Sequence, residues 1–426
     1  MMSKQEMVGW SLAGMLVMSG NAQASGFALL EQSGSGLGNA YAGGAAAAED
    51  ASTIFFNPAG MSRLEGSQVA AAGSFIQPSV KFSNTGSSPA AASGQPLGGN
   101  GGNAGDLAVV PSLYYVMDVN PQMKFGLGIN APFGLKTDYD PGWAGRFQAL
   151  KSEIKTININ PTVSYQLNDN ISLGVGIDYQ KISAELSNNV VLGAGVVGNA
   201  KLTGDDTAWG YNLGALFQVS PDTLLGLAYR SSLNYQVSGN LLITGPTGAV
   251  IQNPAVTAAL KTPDTLSFSA IHQLDSSWDV MGDITWTGWS KFKELRAVNS
   301  STGATAALTN ENWKDTYRVS LGVNHHYNEQ WTARAGVAFD QSPVSDADRT
   351  ARIPDSDRTW LAVGGQYKPN KASALDFGYA HLFVKNASIS NSNGSAGTPS
   401  PATVGNLVGT YNNSVDIVSV QYTYGF

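Results

Sequence analysis

The sequence contains no cysteine, little charge and no long apolar run after its first residues. Without Cys, the chain cannot form disulfides, cysteine-ligated zinc sites or a thiol nucleophile. Charged residues make up 13% of the 426 residues, about half of the roughly 25% usual in soluble domains. After residue 24, no stretch reaches the roughly 18 consecutive apolar residues of a membrane-spanning helix. The composition therefore argues against both an ordinary soluble domain and a helical membrane protein.

Glycine and aromatic residues are abundant instead. The chain has 49 Gly, 16 Tyr, 15 Phe and 9 Trp, a composition typical of transmembrane β-barrels. The 24 basic and 31 acidic side chains give a net charge of -7. Because nucleic-acid binding depends on an excess of positive charge, we expect no nucleic-acid partner.

The N-terminus has the features of a signal peptide. Residues 7–18 (MVGWSLAGMLVM) are apolar, follow Lys4 and precede the small-x-small site at residues 22–24. A membrane anchor is the alternative, but this run is shorter than a spanning helix requires. We predict a signal peptide over residues 1–24, with Ser25 as the first mature residue, and therefore export from the cytoplasm.

From residue 67 onward, apolar and polar residues alternate in segments of about ten. Residues 265–274, 317–327 and 331–340 each place an apolar residue at nearly every second position. Alternation gives a strand one apolar and one polar face. In a transmembrane barrel the apolar face contacts lipid and the polar face lines the lumen. Soluble sandwiches also alternate, but their strands are typically shorter, about 5–6 residues.

Short and long breaks between these segments also alternate. Long loops on one side and tight turns on the other indicate a bacterial outer-membrane barrel with periplasmic turns. The sequence predicts an all-β fold: a transmembrane antiparallel β-barrel of about 14 strands over residues 67–426. The short breaks fall at residues 119–121, 168–169, 220–221, 275–276, 328–329 and 369–371, and the long ones near 83–106, 132–151, 187–203, 244–261, 298–311, 341–354 and 391–409.

Residues 25–66 do not alternate and are rich in Gly and Ala. Irregular backbone is tolerated at membrane depth only where protein or water surrounds it. We therefore predict an N-terminal hatch, or plug, inside the lumen, with a periplasmic tail as the alternative. Four glycines within predicted strands indicate a bend or a close approach to this plug: Gly126, Gly128, Gly174 and Gly176.

The C-terminal segment ends in an aromatic residue. Residues 415–426 alternate up to the terminal Phe426, which predicts a last strand recognised by the barrel-assembly machinery. The closing strand of a soluble barrel is the alternative. Aromatic residues near other predicted strand ends fit the belts of membrane barrels.

No motif indicates catalysis, a cofactor or a metal. The sequence has no Gly-x-Ser-x-Gly or HExxH motif, and His325 and His326 are adjacent strand residues that point to opposite faces. The aspartates between 346 and 357 lack the glycine of a calcium loop. We expect a protein that is not an enzyme and binds no cofactor or metal.

Several segments resemble the long-chain fatty acid and hydrocarbon transporters of the outer membrane, the FadL/TodX family. Together they cover nearly the whole mature chain. They are SGSGLGNAYAGGAAAAEDAST at 33–53, Asn57-Pro58-Ala59, DITWTGWSKFKELR at 283–296, WKDTYRVSLG at 313–322 and FDQSPVSDADRTARIPDSDRTWLAVG at 339–364.

The resemblance implies a fourteen-stranded barrel with an N-terminal hatch in the bacterial outer membrane. It further implies passive uptake of long-chain fatty acids or similar hydrophobic molecules through an apolar pocket, with a lateral exit into outer-membrane lipid. Uptake of apolar or aromatic hydrocarbons is the alternative within this family. A general porin or adhesin remains a further alternative. We expect the barrel to be monomeric.

The resemblance also implies site residues. Two of these assignments have an alternative. The kink expected in the third strand could be an ordinary strand end, and Asn57-Pro58-Ala59 could be a structural turn. Thr309, Asn310 and Glu311 occupy the positions where some members carry a basic residue, which leaves room for uncharged ligands. The predicted sites are a pocket and hatch at Phe27, Leu29, Leu30, Asn57, Pro58 and Ala59, a kinked third strand at Asn130, Pro132, Phe133 and Gly134, and carboxylate partners among Arg146, Lys151, Lys155, Lys181 and Lys314.

Overall fold

The computed structural model describes residues 26–394 and 396–426. The predicted signal peptide and Ser25 lie outside the described residues. The strands are β1 Gln68–Asn84, β2 Ala108–Asn120, β3 Met123–Asn130, β4 Gly134–Asp138, β5 Lys151–Asn168, β6 Ile171–Gly193, β7 Val196–Ser220, β8 Thr223–Arg230, β9 Asn234–Thr244, β10 Val250–Gln252, β11 Ala255–Lys261, β12 Thr265–Gln273, β13 Trp278–Thr287, β14 Glu294–Asn299, β15 Thr305–Asn310, β16 Thr316–His326, β17 Trp331–Asp340, β18 Arg358–Asn370, β19 Ser373–Val384, β20 Ala387–Asn391 and β21 Leu407–Gly425. The helices are α1 Gly34–Leu37, α2 Thr53–Phe56 and α3 Pro401–Val404, with 3₁₀ helices at Pro58–Arg63, Ala91–Ser93 and Trp289–Lys291.

The sheet closes on itself. The first and last strands, β1 and β21, pair antiparallel from Gln68 opposite Gly425 to Asn84 opposite Gly409. Closure removes the two free edges that an open sheet would have at β1 and β21. The predicted antiparallel barrel of 14 strands is therefore confirmed. The ring runs β1, β2, β3, β5, β6, β7, β8, β12, β13, β16, β17, β18, β19 and β21.

The barrel wall has an apolar outer face and a polar inner face. In β19, Leu375 and Phe377 are 41% and 49% exposed, whereas Asp376 between them is 1% exposed. The interior side chains also form ion pairs, such as that of Arg334 with Asp376. No helix in the described residues is long and apolar enough to cross a membrane.

Several predicted long breaks contain strands. Those near 132–151, 244–261 and 298–311 include β4, β11 and β15, and the one near 187–203 is almost entirely strand. The sequence reading placed a long break near residues 187–203, but β6 continues to Gly193 and β7 begins at Val196. Ser187 lies opposite Lys201 in this ladder. The two strands extend past the ring as a hairpin, and residues 199–205 of β7 also pair with β9.

The hatch (residues 26–66 of the described chain) lies inside the barrel. The wall holds it by hydrogen bonds: Arg318 donates to the carbonyl oxygen of Ala40 at 2.7 Å, and Ser74 donates to that of Glu31 at 3.1 Å. Arg334 links hatch and wall, since its guanidinium pairs with both Glu49 and Asp376. These contacts satisfy buried polar groups of the irregular segment, as burial requires.

Glycines let the wall approach the hatch. A Cβ at Gly174 would lie 2.3 Å from the backbone nitrogen of Ala59. Gly126 and Gly128 likewise contact the side chain of Ile54. Three of the four glycines singled out in the sequence therefore mark close approach to the hatch. Gly176 instead faces Asn160 and Asn212 of neighbouring strands.

Candidate ligand site at the hatch and the broken third strand

The third strand of the barrel is interrupted. β3 ends at Asn130 and β4 begins at Gly134. Pro132 lies in the break, and it has no N–H to donate to a ladder. The pairing of β2 with β3 stops at Leu113 opposite Ile129, and β4 pairs with β5. The part of β2 at residues 108–112 therefore pairs with β1 but not with the third strand, which leaves a gap in the wall.

The start of the hatch lies against this break from the inside. The N–H of Leu29 donates to the carbonyl oxygen of Pro132 at 2.8 Å. The N–H of Gly134 donates to the carbonyl oxygen of Phe27 at 2.9 Å. Ala28 and Phe133 form an antiparallel bridge between them. Residues 27–29 thus act as a short extra strand where the third strand has lost its regular pairing.

Phe27 is enclosed by an aromatic cage, defined here as Phe133, Trp289, Phe292 and Trp313. Phe27 is 2% exposed. Its ring centroid lies 4.8 Å from that of Trp289, 5.7 Å from those of Phe133 and Trp313, and 5.9 Å from that of Phe292. Each such aromatic pair contributes about 0.5–1.5 kcal/mol beyond area burial. The cage therefore holds the first residues of the described hatch, here called the hatch terminus, in an apolar environment.

A cavity of about 680 Å³ lies at the wall gap and reaches the hatch terminus. Its volume falls within the roughly 300–1,000 Å³ of small-molecule sites. A smaller cavity of about 140 Å³ lies deeper, beside Phe56 and Pro58. Both cavities share Leu29 and Phe133 in their linings, and Leu30 and Pro132 line the deeper one. The apolar lining of the larger cavity includes Phe27, Leu29, Val110, Phe133, Leu135 and Ile154.

The predicted triplet Asn57-Pro58-Ala59 holds the hatch to the wall. The side-chain nitrogen of Asn57 donates to the carbonyl oxygens of Ala45 at 2.5 Å and Ala215 at 3.1 Å. Its side-chain oxygen accepts from the N–H of Ala59 at 3.0 Å, capping the 3₁₀ helix that Pro58 begins. This geometry supports the structural turn that the sequence left open. Of the three residues, Pro58 also lines the deeper cavity.

The five basic residues proposed as carboxylate partners do not converge. Lys155 lines the larger cavity and pairs with Glu153 at 2.8 Å. Lys151 also pairs with Glu153, at 3.1 Å. Lys181 pairs instead with Asp205 at 3.3 Å.

The other two basic residues lie between strands, Arg146 between β4 and β5 and Lys314 between β15 and β16. Arg146 donates to the carbonyl oxygens of Leu97 and Pro96, both at 2.6 Å, and so holds loop backbone together. Lys314 is exposed and lies in the segment between β15 and β16. Their role as carboxylate partners stays a prediction.

Two cations at the larger cavity were missed in the sequence. Lys136 pairs with Asp106, and Arg358 pairs with Asp355 at 3.0 Å. Asp355 also accepts from the N–H of Gly26 at 3.0 Å, so Arg358 is connected to the start of the hatch. Arg358 begins β18, and its position on the inner face follows from the alternation of that strand. The proximity of Arg358 to residue 26 does not follow from that alternation.

Glu311 is a buried acid in the segment between β15 and β16. It is 4% exposed, and its side-chain oxygen accepts from the indole N–H of Trp313 at 3.0 Å. Burial raises the pKa of Glu311 to about 8, and the positive charge of Arg352 opposes this shift only in part. The carboxyl group next to the aromatic cage therefore keeps its proton to a higher pH than an exposed glutamate does.

A closed barrel with an apolar outer face, an internal hatch and a cavity at a break in the wall defines a plugged outer-membrane β-barrel. The family described as outer membrane protein transport protein (OMPP1/FadL/TodX) matches this chain over residues 15–426. The chain belongs to this family, and it is an outer-membrane protein.

Sequence relatives extend over most of the chain. The long-chain fatty acid transport protein of Escherichia coli strain K12 is 30% identical over 415 residues, 88% of this chain and 91% of the relative. Outer membrane protein P1 of Haemophilus influenzae strain Rd is 31% identical over 405 residues, 86% of this chain and 88% of that protein.

Solved structures agree with the fold. A FadL homologue of Pseudomonas aeruginosa superposes with a TM-score of 0.87 at 25% identity, covering 94% of this chain and 100% of that one. The toluene transporter TodX of Pseudomonas putida gives a TM-score of 0.66 at 17% identity, covering 88% of this chain and 94% of that one. The likeness to TodX shows the shared fold alone.

Proposed function

We propose that this protein mediates passive uptake of long-chain fatty acids or similar hydrophobic molecules across the outer membrane. The observation that carries the proposal is the cavity of about 680 Å³, which connects the hatch terminus with the gap in the barrel wall. Relatives about 30% identical over most of their length are long-chain fatty acid transport proteins.

The proposed path follows the apolar contacts. An alkyl chain gains about 0.8 kcal/mol for each CH₂ that it buries, and the aromatic cage and cavity offer such burial. Withdrawal of residues 27–29 would break the hydrogen bonds to Pro132 and Gly134 and uncover the wall gap. A ligand leaving sideways would enter the bilayer without crossing water. Because the sequence contains no recognisable nucleotide-binding motif, spontaneous motion of the hatch would have to open this path.

Uptake of uncharged hydrocarbons is the second candidate. The cations that line the larger cavity are already paired with carboxylates: Lys136 with Asp106, Lys155 with Glu153 and Arg358 with Asp355. A ligand carboxylate would have to compete with these partners. In addition, Thr309, Asn310 and Glu311 stand where the family resemblance places a basic residue in some members. Both features favour a ligand whose polar end is small or absent.

Further expectations accompany this proposal. We propose that the protein acts as a monomer, without catalysis, and that the barrel-assembly machinery recognises β21 and Phe426. A general porin or adhesin is the competing function. It requires an open aqueous lumen, whereas the hatch is tied to the wall by Arg318 and Arg334.

Ligand binding to the folded, detergent-purified protein tests the proposal. We expect saturable binding of a labelled long-chain fatty acid. Competition by an uncharged alkane and by an aromatic hydrocarbon separates the two candidates, because displacement by either shifts the assignment to hydrocarbons. Growth of a deletion strain on oleate and on an aromatic carbon source gives the same comparison in cells. An absence of saturable binding, together with steady ion conductance in planar bilayers, would establish a porin instead.

A further inference from the structure

A second gap lies between β11 and β14, two strands that continue β12 and β13 beyond the fourteen-strand ring. These strands pair only from Val256 opposite Asn299 to Ala258 opposite Ala297. Pairing resumes in the next strands, β12 and β13, at Thr265 opposite Thr287. Residues 259–263 and 289–296, between these two stretches, make no backbone pairs with each other within the described chain. The wall is therefore open there, away from the gap at the third strand.

This opening contains a cavity of about 460 Å³, named here the β11–β14 fissure. Its lining carries four cations and one carboxylate, that of Glu294. Arg296 pairs with Glu294 at 2.6 Å. Neither Lys261 nor Lys293 makes an ion pair with a described residue. The fissure thus has two lysines without an ion-pair partner among the described residues, whereas the cations of the larger cavity are all paired. Its cations are Lys261, Lys291, Lys293 and Arg296.

The floor of the fissure is apolar and continues into the aromatic cage. Tyr235, Leu260 and Phe292 line the fissure and are 3%, 7% and 5% exposed. All three belong to the same buried cluster as Phe27. The ring of Phe292 lies 4.9 Å from that of Trp313. Phe292 is therefore part of both the fissure floor and the cage around the hatch terminus.

Outward-facing aromatic side chains lie next to the fissure. The ammonium nitrogen of Lys291 lies 6.0 Å from the ring centroid of Trp286. Trp286 and Tyr317 are paired outward-facing aromatics on β13 and β16. Aromatic belts of this kind mark the boundary between lipid and water in barrels. Cations beside such aromatics can meet the head group of an amphiphile whose chain lies in the apolar layer.

We propose that the β11–β14 fissure binds the carboxylate head of a single-chain amphiphile before the ligand reaches the hatch. Lys261 and Lys293 bind the carboxylate, and the first part of the chain lies against Leu260 and Phe292. This inference rests on the proposed function and names its ligand class as anionic. It places head-group recognition on the outer wall, at a distance from the paired cations of the larger cavity.

Photo-crosslinking tests the site. The probes are a long-chain fatty acid with a diazirine near its carboxyl group and the fatty alcohol of the same chain and label. Each is bound to the folded protein in non-ionic detergent, and the labelled peptides are mapped by mass spectrometry. We expect the acid to label residues 259–261 and 292–296 in saturable fashion, and the alcohol to label them several-fold less.

The variant that tests the mechanism combines Lys261→Gln with Lys293→Gln. Loss of two partly exposed charges should lower fissure labelling by about fivefold, while labelling around Phe27 at saturating probe persists. A matched control combines Lys81→Gln with Lys368→Gln, which removes two exposed charges elsewhere on the wall and should leave fissure labelling unchanged.

The opposing outcomes are distinct. Labelling by the acid at the cage but not at the fissure would overturn this inference and leave the proposed function intact. Equal labelling of the fissure by acid and alcohol would also overturn it, since the cations would then have no role. Saturable labelling at neither place would overturn both.

Discussion

The backbone N–H of Gly134 donates to the carbonyl oxygen of Phe27 at 2.9 Å, across the point where the third strand is broken. One residue lies at the edge of the gap in the wall, and the other is the hatch residue inside the aromatic cage. Any motion that takes Phe27 out of the cage must therefore also release the edge of the gap. In the proposed path, this short segment couples ligand binding to lateral opening.

Fixing this segment should block transport. The chain has no cysteine, so Ala28→Cys with Phe133→Cys introduces a single possible disulfide. These residues are bridge partners, and antiparallel partners have Cα atoms about 4.5–5.5 Å apart, within disulfide range. We expect fatty acid uptake to stop on oxidation and to return on reduction. The two single variants are the controls, and unimpaired uptake by the oxidised double variant would contradict the coupling.

A charge in the aromatic cage should weaken binding. Phe27→Glu would bury a carboxylate among four aromatic rings, which is strongly unfavourable without a partner, so the hatch terminus should leave the cage. We expect ligand affinity to fall by at least about tenfold, or roughly 1.4 kcal/mol. Phe27→Leu keeps an apolar side chain and should retain most of the affinity. Equilibrium binding to purified protein measures both, and unchanged binding by Phe27→Glu would remove Phe27 from the pocket.

Close packing of the hatch on the wall predicts the effect of one methyl group. A Cβ at Gly226 would lie 1.9 Å from the carbonyl oxygen of Ala45. This is a backbone atom, so no side-chain rotation can relieve the clash. Gly226→Ala should displace the hatch, raising ion conductance in planar bilayers and exposing the hatch to protease. At Gly282 the nearest atom is a methyl group of Leu321 at 3.4 Å. Gly282→Ala should therefore behave like the wild type, and equal conductance of the two variants would contradict the packing.

Glu311 predicts a pH dependence. Burial raises its pKa to about 8, from about 4.3 in an unfolded chain. Its contribution to stability is therefore complete below about pH 4 and is lost as the pH rises through about 8. Gln cannot ionise and can still accept from Trp313. The unfolding temperature of Glu311→Gln should thus improve relative to the wild type between pH 5 and pH 8.5.

Thermal unfolding in detergent at several pH values measures this difference. Glu65→Gln makes the same change of charge at an exposed site and serves as the control. A difference between Glu311→Gln and the wild type that stays constant with pH would show that the carboxyl group does not titrate as burial predicts.

The sequence alone determined the architecture. Alternation such as that of residues 331–340 follows directly from a strand with lipid on one side and the lumen on the other. The polarity of each residue indicates whether it faces lipid or lumen, so the strands can be counted without knowing which strands pair. The non-alternating residues 25–66 indicated the hatch for the same reason. The long break expected near 187–203 was wrong, because these residues do not alternate in polarity although they pair as strands.

Only the tertiary structure decided the sites. Phe27 lies far in sequence from Trp289 and Trp313, and no periodicity relates them. Arg146 and Lys155 look equivalent as isolated cations, yet one holds loop carbonyls and the other lines the cavity. The fissure at Lys261 and Lys293 arises from missing hydrogen bonds between two strands. A local pattern specifies which way a side chain faces, but a binding site depends on which distant side chains meet there, and barrel closure fixes that.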